Sequence, residues 1–185
     1  KGPSPGLALG GSTNAGKLTW FNRRTGAEVF VKDMLFATLD PTMRKVTRPD
    51  GDEIIMSDTV GFISDLPTEL VAAFRATLEE VLDADLIVHV RDISHAGTEE
   101  QARDVDKILT ALGIEEDAPR IEVWNKIDNL SPDKAEAIAV RAERPDTTFA
   151  LTAITGQGMR ELPDAPSYVF QSSQPHTDLS LLSAE

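Results

Sequence analysis

The stretch Leu7-Ala8-Leu9, followed by Gly11-Ser12-Thr13-Asn14-Ala15-Gly16-Lys17, constrains this chain more than any other. A short apolar run ending in glycine reads as a buried first strand, interrupted by Gly10. Glycine, four residues, glycine and lysine is the spacing of a phosphate-binding loop. Its glycines let the backbone curl so that successive N–H groups point inward at an anion. A helix from Lys17 to about Arg24 presents its positive end to the same anion, and Lys17 bridges the outer phosphates as a point charge. The plainer alternative is an ordinary glycine-rich turn, and the strand before and helix after argue against it.

The rest of the chain alternates in the same way. Residues 25–41 lack clear periodicity and read as a long loop. Thr42 to Arg48 and Glu53 to Ser57 flank the turn signal Pro49-Asp50-Gly51, which makes an antiparallel hairpin whose second arm delivers Asp58. Leu70, Val71, Phe74, Leu78, Val81 and Leu82 recur at helical spacing between Pro67 and Ala84. A strand follows at Leu86 to Val90. A helix from about Glu99 to Leu112 turns Val105, Ile108, Leu109 and Leu112 inward and stops at Gly113. A strand at Arg120 to Trp124, a helix at about Pro132 to Glu143 and a strand at Thr148 to Leu151 complete the pattern. The expected class is α/β, a P-loop fold with a mainly parallel sheet and helices on both faces. Ligands of such sheets bind beyond the carboxyl ends of the strands. The expected P-loop domain spans residues 1–162. From 163 to 185, prolines and serines break any continuous helix, and a poorly structured extension is expected.

Composition narrows the function classes. Acidic residues outnumber basic ones 31 to 18, for a formal net charge of −13. That argues against a free-standing electrostatic clamp for DNA or RNA, while leaving room for RNA contact through a local patch. The absence of cysteine removes disulfides and cysteine-ligated zinc and is compatible with the cytoplasmic location expected here. No apolar run approaches the roughly 20 residues of a membrane span. Beginning at Lys1 rather than Met and entering its first strand almost at once, the sequence reads as a piece of something longer, and as a monomer.

Two further motifs give the loop its meaning. Asp58-Thr59-Val60-Gly61 follows a strand. Asp58 there could hold magnesium, directly or through water, and the Gly61 N–H could bond a terminal phosphate; a strand-ending turn is the alternative. In Asn125-Lys126-Ile127-Asp128, the Asp128 carboxylate can accept both the ring N–H and the exocyclic amine of guanine, a donor pair that adenine lacks. Asn125 braces the loop and Lys126 packs its stem along the base; a solvated polar loop is the alternative. Thr152, Ala153 and Ile154 follow the next strand and could add a backbone N–H to the guanine oxygen. In this order the motifs describe a GTP-binding switch. Leu18 and Thr19 carry the first loop into its helix, but Leu18 has no oxygen to give magnesium and Thr19 is rotated about 100° away. Phe62, after Gly61, cannot orient a water, so intrinsic hydrolysis is expected to be slow. Asn14 either offers a carbonyl oxygen to a monovalent cation such as K⁺ or supports the turn. His89, His95 and His176 lack metal-ligand partners at useful spacing.

With these residues in place, the chain resembles the HflX family of translational GTPases over about Leu7 to Leu162. Phe36-Ala37-Thr38-Leu39-Asp40-Pro41-Thr42 is similar to that family's switch I. Asp58 through Pro67 is similar to its switch II, and Phe74-Arg75-Ala76-Thr77-Leu78-Glu79-Glu80 to the helix beyond. The resemblance implies GTP and GDP as ligands, with Mg²⁺ held by Thr38 and Asp58 and K⁺ as an assistant in some members. It further implies Lys17, Thr38 and Gly61 at the reacting phosphate. It also implies an amino-terminal domain of its own and action on the large ribosomal subunit, its RNA and proteins, in splitting or rescuing ribosomes under stress. The hydrophobic residue after Gly61 is normal there. The family carries Ser at position 18, an aromatic residue at position 12, an apolar residue at position 10 and a smaller aliphatic residue at position 20. The expected activity is hydrolysis of GTP to GDP and phosphate. The alternative is a nucleotide-dependent ribosome-docking module with little turnover, because Leu18 replaces the magnesium-binding Ser.

Overall fold

The computed structural model of the chain describes residues 6–26, 82–115, 118–144 and 147–158, together with the backbone of 42–47 and 53–58. The strands are β1 (Gly6–Gly10), β2 (Thr42–Thr47), β3 (Glu53–Asp58), β4 (Leu86–Asp92), β5 (Arg120–Asn125) and β6 (Thr148–Ala150). The helices are α1 (Lys17–Thr25), α2 (Thr98–Ala111) and α3 (Pro132–Ala142), with a 3-10 turn at Ile127–Asn129. One six-stranded sheet runs in the order β2-β3-β1-β4-β5-β6. Among the described strands, β2 and β3 pair antiparallel and the other four pairings are parallel. Strand β1 therefore lies between β3 and β4, and the chain's direction of travel across the sheet reverses there. That reversal opens a crevice at the carboxyl ends of the central strands.

Alternation along the strands builds a core on each side of the sheet. Leu7 and Leu9 of β1, Leu86, Val88 and Val90 of β4, and Ile121 and Val123 of β5 pack with Trp20 and Phe21 of α1. Ala8 and Ile87 meet Val105 and Leu109 of α2. Trp124, Ile93 and Ile127 meet Ala142, with Ile138 against them, under α3. Each aliphatic or aromatic side chain buried this way contributes roughly 1.5–3 kcal/mol relative to exposure. The helices begin and end on recognisable signals. Gly26 (φ 68°) stops α1, Glu99 and Glu100 occupy the first turn of α2, and α3 starts with Pro132 and carries Arg141 in its last turn.

The expected mainly parallel α/β sheet is present. In detail, Gly10 does not interrupt β1: it is paired with His89 as the strand's last residue. Strand β4 continues two residues past Val90, to Asp92, and β5 continues one past Trp124, to Asn125, because these two residues pair with each other at the end of the β4–β5 ladder. Leu82 is exposed rather than part of an inward stripe. The rest of the helix expected over 67–84 falls almost wholly outside the described residues, as do Pro49-Asp50-Gly51 and the extension at 163–185.

Candidate nucleotide site

The crevice is built from the ends of β1, β4, β5 and β6. After β1 the chain turns through Gly11, where a Cβ would collide with the carbonyl oxygen of Val90; glycine lets the loop lie against β4. Asn14 (φ 63°) and Gly16 (φ 91°) adopt left-handed backbone, curling the loop into the amino end of α1. Among the described residues the N–H groups of Thr13, Asn14 and Gly16 meet no acceptor, whereas the Ala15 N–H bonds the Ser12 carbonyl at 3.3 Å. The Lys17 side chain is buried and donates to the carbonyl oxygens of Gly11 (3.2 Å) and Ser12 (2.8 Å). Unengaged N–H groups, a helix amino terminus and a fixed ammonium together form an anion site.

Asn125 and Lys126, at and just after the end of β5, tie that strand to this loop. Asn125, 2% exposed at the end of β5, donates from Nδ2 to the Ala15 carbonyl (3.0 Å) and accepts at Oδ1 from the Ala153 N–H (2.9 Å). It bridges β5, the phosphate loop and the segment after β6. Gly16 makes room for it, since a Cβ there would strike Asn125 Nδ2. Lys126 (φ 67°) crosses the loop and donates to the Asn14 carbonyl (2.7 Å) and to Asp92 Oδ2 (2.8 Å). Asp128 is exposed in the 3-10 turn that follows. The Ala153 N–H is already engaged by Asn125 and the Thr152 N–H by the Gln157 carbonyl, so of these three residues Ile154, 68% exposed, is the one with an unengaged N–H.

Leu18 packs its side chain against the core cluster around Leu7 and Phe21. Its place is filled by hydrocarbon, and it offers no ligand to a metal. Among the described residues no group of three or more His, Asp or Glu side chains converges as a metal site. Thr38 lies outside the described residues, as do Phe36, Ala37, Thr59, Val60, Gly61 and Phe62; Asp58 is placed by its backbone alone, as the last residue of β3 beside Leu9. Ser12 donates to Gln101 Oε1 of α2 at 3.2 Å. Thr13 carries a buried hydroxyl that meets no partner among the described residues. The Asn14 side chain is exposed at the tip of the loop, and its left-handed backbone shapes the turn. Thr19 is partly buried in the first turn of α1.

Three contributors were not singled out in the sequence. Asp92 holds Lys126, Gln101 meets Ser12, and Arg23 of α1 donates to the carbonyls of Ile154 and Thr155, both at 2.7 Å. Only Asp92 had a signal, its place at the carboxyl end of a parallel strand. Its carboxyl is raised by burial, but the hydrogen bonds from Lys126 and Ser94 outweigh that and hold it below the usual aspartate value.

This fold and site define a P-loop GTP-binding domain. A family model described as 50S ribosome-binding GTPase matches residues 7–126. A GTPase HflX from Caldanaerobacter subterraneus subsp. tengcongensis is 53% identical over 130 residues, covering 70% of this chain and 30% of that protein. The GTPase HflX of Escherichia coli K12 is 42% identical over 162 residues, 88% of this chain and 38% of its own length. Among solved structures, a GTP-binding protein from the archaeon Sulfolobus solfataricus in complex with GDP superposes with a TM-score of 0.67 at 25% identity, covering 91% of this chain and 53% of that one. The chain belongs to the 50S ribosome-binding GTPase family and is a GTP-binding domain of the HflX type. It spans about a third of the length of the curated relatives it matches.

Proposed function

We propose that this chain binds GTP and GDP and hydrolyses GTP slowly, serving as the switch of a larger protein that acts on the large ribosomal subunit. The observation that carries the reading is the Asn125 bridge. It fixes the phosphate loop, through the Ala15 carbonyl, and the segment after β6, through the Ala153 N–H, in one frame with Asp128 exposed at its edge. A guanine entering that frame would lie along the Lys126 stem and donate its ring N–H and exocyclic amine to Asp128. The unengaged loop N–H groups and Lys17 would take the phosphates.

Hydrolysis in this reading is in-line attack by water, driven by positioning and by charge stabilisation at the transferred phosphoryl group. Lys17 and the loop N–H groups would neutralise charge developing on the phosphate oxygens. Thr38 and the Gly61 N–H would sense the terminal phosphate, and Phe62 would exclude solvent without orienting the attacking water. Mg²⁺, held by Thr38 and Asp58, would supply further neutralisation, and K⁺ could take the free side-chain oxygen of Asn14. Docking to the large ribosomal subunit is supported by the family's description and by the HflX relatives. Ribosome splitting would require parts beyond this chain.

The second reading is a docking module that binds nucleotide with little turnover, favoured by the packing of Leu18 into the core. Replacing Leu18→Ser separates the two. If turnover measured against magnesium and potassium rises in the variant, Leu18 limits catalysis. Equal turnover of both chains would show that it does not.

A further inference from the structure

Lys126 is an unusually constrained lysine. Its backbone is left-handed (φ 67°), its stem passes over Gly16, and its ammonium ends between two acceptors, the Asn14 carbonyl at 2.7 Å and Asp92 Oδ2 at 2.8 Å. The lysine and aspartate side chains are only 20% and 16% exposed. Asp92 is itself fixed. It is the last residue of β4, in register with Asn125 of β5, and its Oδ1 accepts both the N–H and the hydroxyl of Ser94. The Ile93 N–H bonds the Asn125 carbonyl at 3.1 Å, so the backbone around Asp92 and the backbone around Asn125 move as one piece. Without the carboxylate, the Lys126 ammonium keeps one neutral acceptor on an exposed loop residue, and four rotatable bonds are free to lift the stem away from Gly16.

Building on the guanine-nucleotide reading above, we propose that Asp92 is a positioning residue that sets how long the domain retains its nucleotide, acting through Lys126 by pinning the lysine stem as a flat apolar wall beneath the base. The chain of contacts is Ser94 to Asp92, Asp92 to Lys126, and Lys126 to both the phosphate loop and the base. The two halves of the site are thereby coupled by a second set of side-chain contacts beside the Asn125 amide. Because Asp92 contacts Lys126 and not the nucleotide, its removal acts on residence of GDP and GTP alike and leaves the choice of guanine over adenine to Asp128.

The test is a double-mutant cycle read as the dissociation rate of N-methylanthraniloyl-GDP from the intact 185-residue chain, with melting temperature recorded for each variant. Asp92→Asn, which still accepts from Ser94, is expected to release the nucleotide about tenfold faster. Lys126→Met is expected to release it at least as fast, and the double variant no faster than Lys126→Met alone, within about twofold. A merely structural aspartate would give effects that multiply in the double variant, or a lower melting temperature with an unchanged rate, and either result overturns the proposal. Should Asp92→Asn fail to fold, Asp92→Glu keeps the charge and displaces it by one methylene; it carries the same cycle with the same expected pattern. A wild-type chain that retains no labelled GDP would contradict the guanine-nucleotide reading. Tight retention by the wild type with unchanged release from the Asp92 variants would contradict this inference alone.

Discussion

At the scale of single residues, the site is organised by atoms that serve two partners at once. Asn125 is the clearest case, because its amide uses both ends. Asn125→Ala strands the Ala15 carbonyl and the Ala153 N–H in a buried setting, and each orphaned group costs about 1–3 kcal/mol. A fall in unfolding free energy of about 2–4 kcal/mol in urea titration is expected, with nucleotide binding lost; an unchanged midpoint would show that the bridge carries no weight. Gly16→Ala should resemble it, since the added methyl displaces the same amide and the backbone there is left-handed. Leu18 works in the opposite sense. Leu18→Ser removes a side chain that packs on the core, so it is expected to lower stability by about 1–2 kcal/mol even where it increases magnesium-dependent turnover. A variant equal in stability to the wild type would contradict the packing assigned to Leu18.

At the scale of elements, the interior face of the sheet between α2 and α3 is polar where apolar residues would be the simpler choice. His89 of β4 stands opposite Glu122 of β5, and Arg91 opposite Trp124. Arg91 pairs with Glu122 at 2.9 Å and with Glu99 of α2 at 3.1 Å, while the guanidinium groups of Arg91 and Arg141 both lie over the Trp124 ring, whose indole N–H donates to Glu122. This network ties both helices to β5 directly behind Asn125. Burial pushes His89 down to about 4, with Glu122 opposing and Arg91 reinforcing the shift. Because the folded value lies below the unfolded one, the unfolded chain binds the extra proton. Stability is therefore full above about pH 6.5 and falls as pH drops from 6.5 toward 4. The carboxyls of Glu122 and Asp92 are held below their ordinary values, so their contributions are lost only at lower pH, as it falls through those depressed values. Melting temperature should thus decline between pH 6.5 and 4.5, and His89→Gln should flatten that decline. A slope that persists in the variant would assign the effect to other groups.

At the scale of the whole molecule, the mainly parallel α/β class was legible because apolar runs and helical periodicity alternate without interruption from Leu86 to Leu151. Strand ends were less legible. Asp92 and Asn125 are polar residues that pattern reading assigns to loops, yet they pair with each other as the last rung of the β4–β5 ladder. The phosphate loop and the Asn-Lys-Ile-Asp motif were legible because their chemistry lies within a few adjacent residues. What joins them was not: Asp92 to Lys126, Ser12 to Gln101, and Arg23 to the Ile154–Thr155 carbonyls each link residues far apart in sequence, and no local pattern encodes such pairs. In the function proposed above, the whole arrangement would serve one property, a frame that reads guanine while the loop holds phosphate. The direct test is displacement of bound fluorescent GDP by unlabelled guanine and adenine nucleotides. The account predicts that GDP and GTP compete at concentrations at least about 100-fold lower than ADP and ATP, because adenine leaves the Asp128 carboxylate without its two donors. Equal competition by ATP and GTP would contradict it.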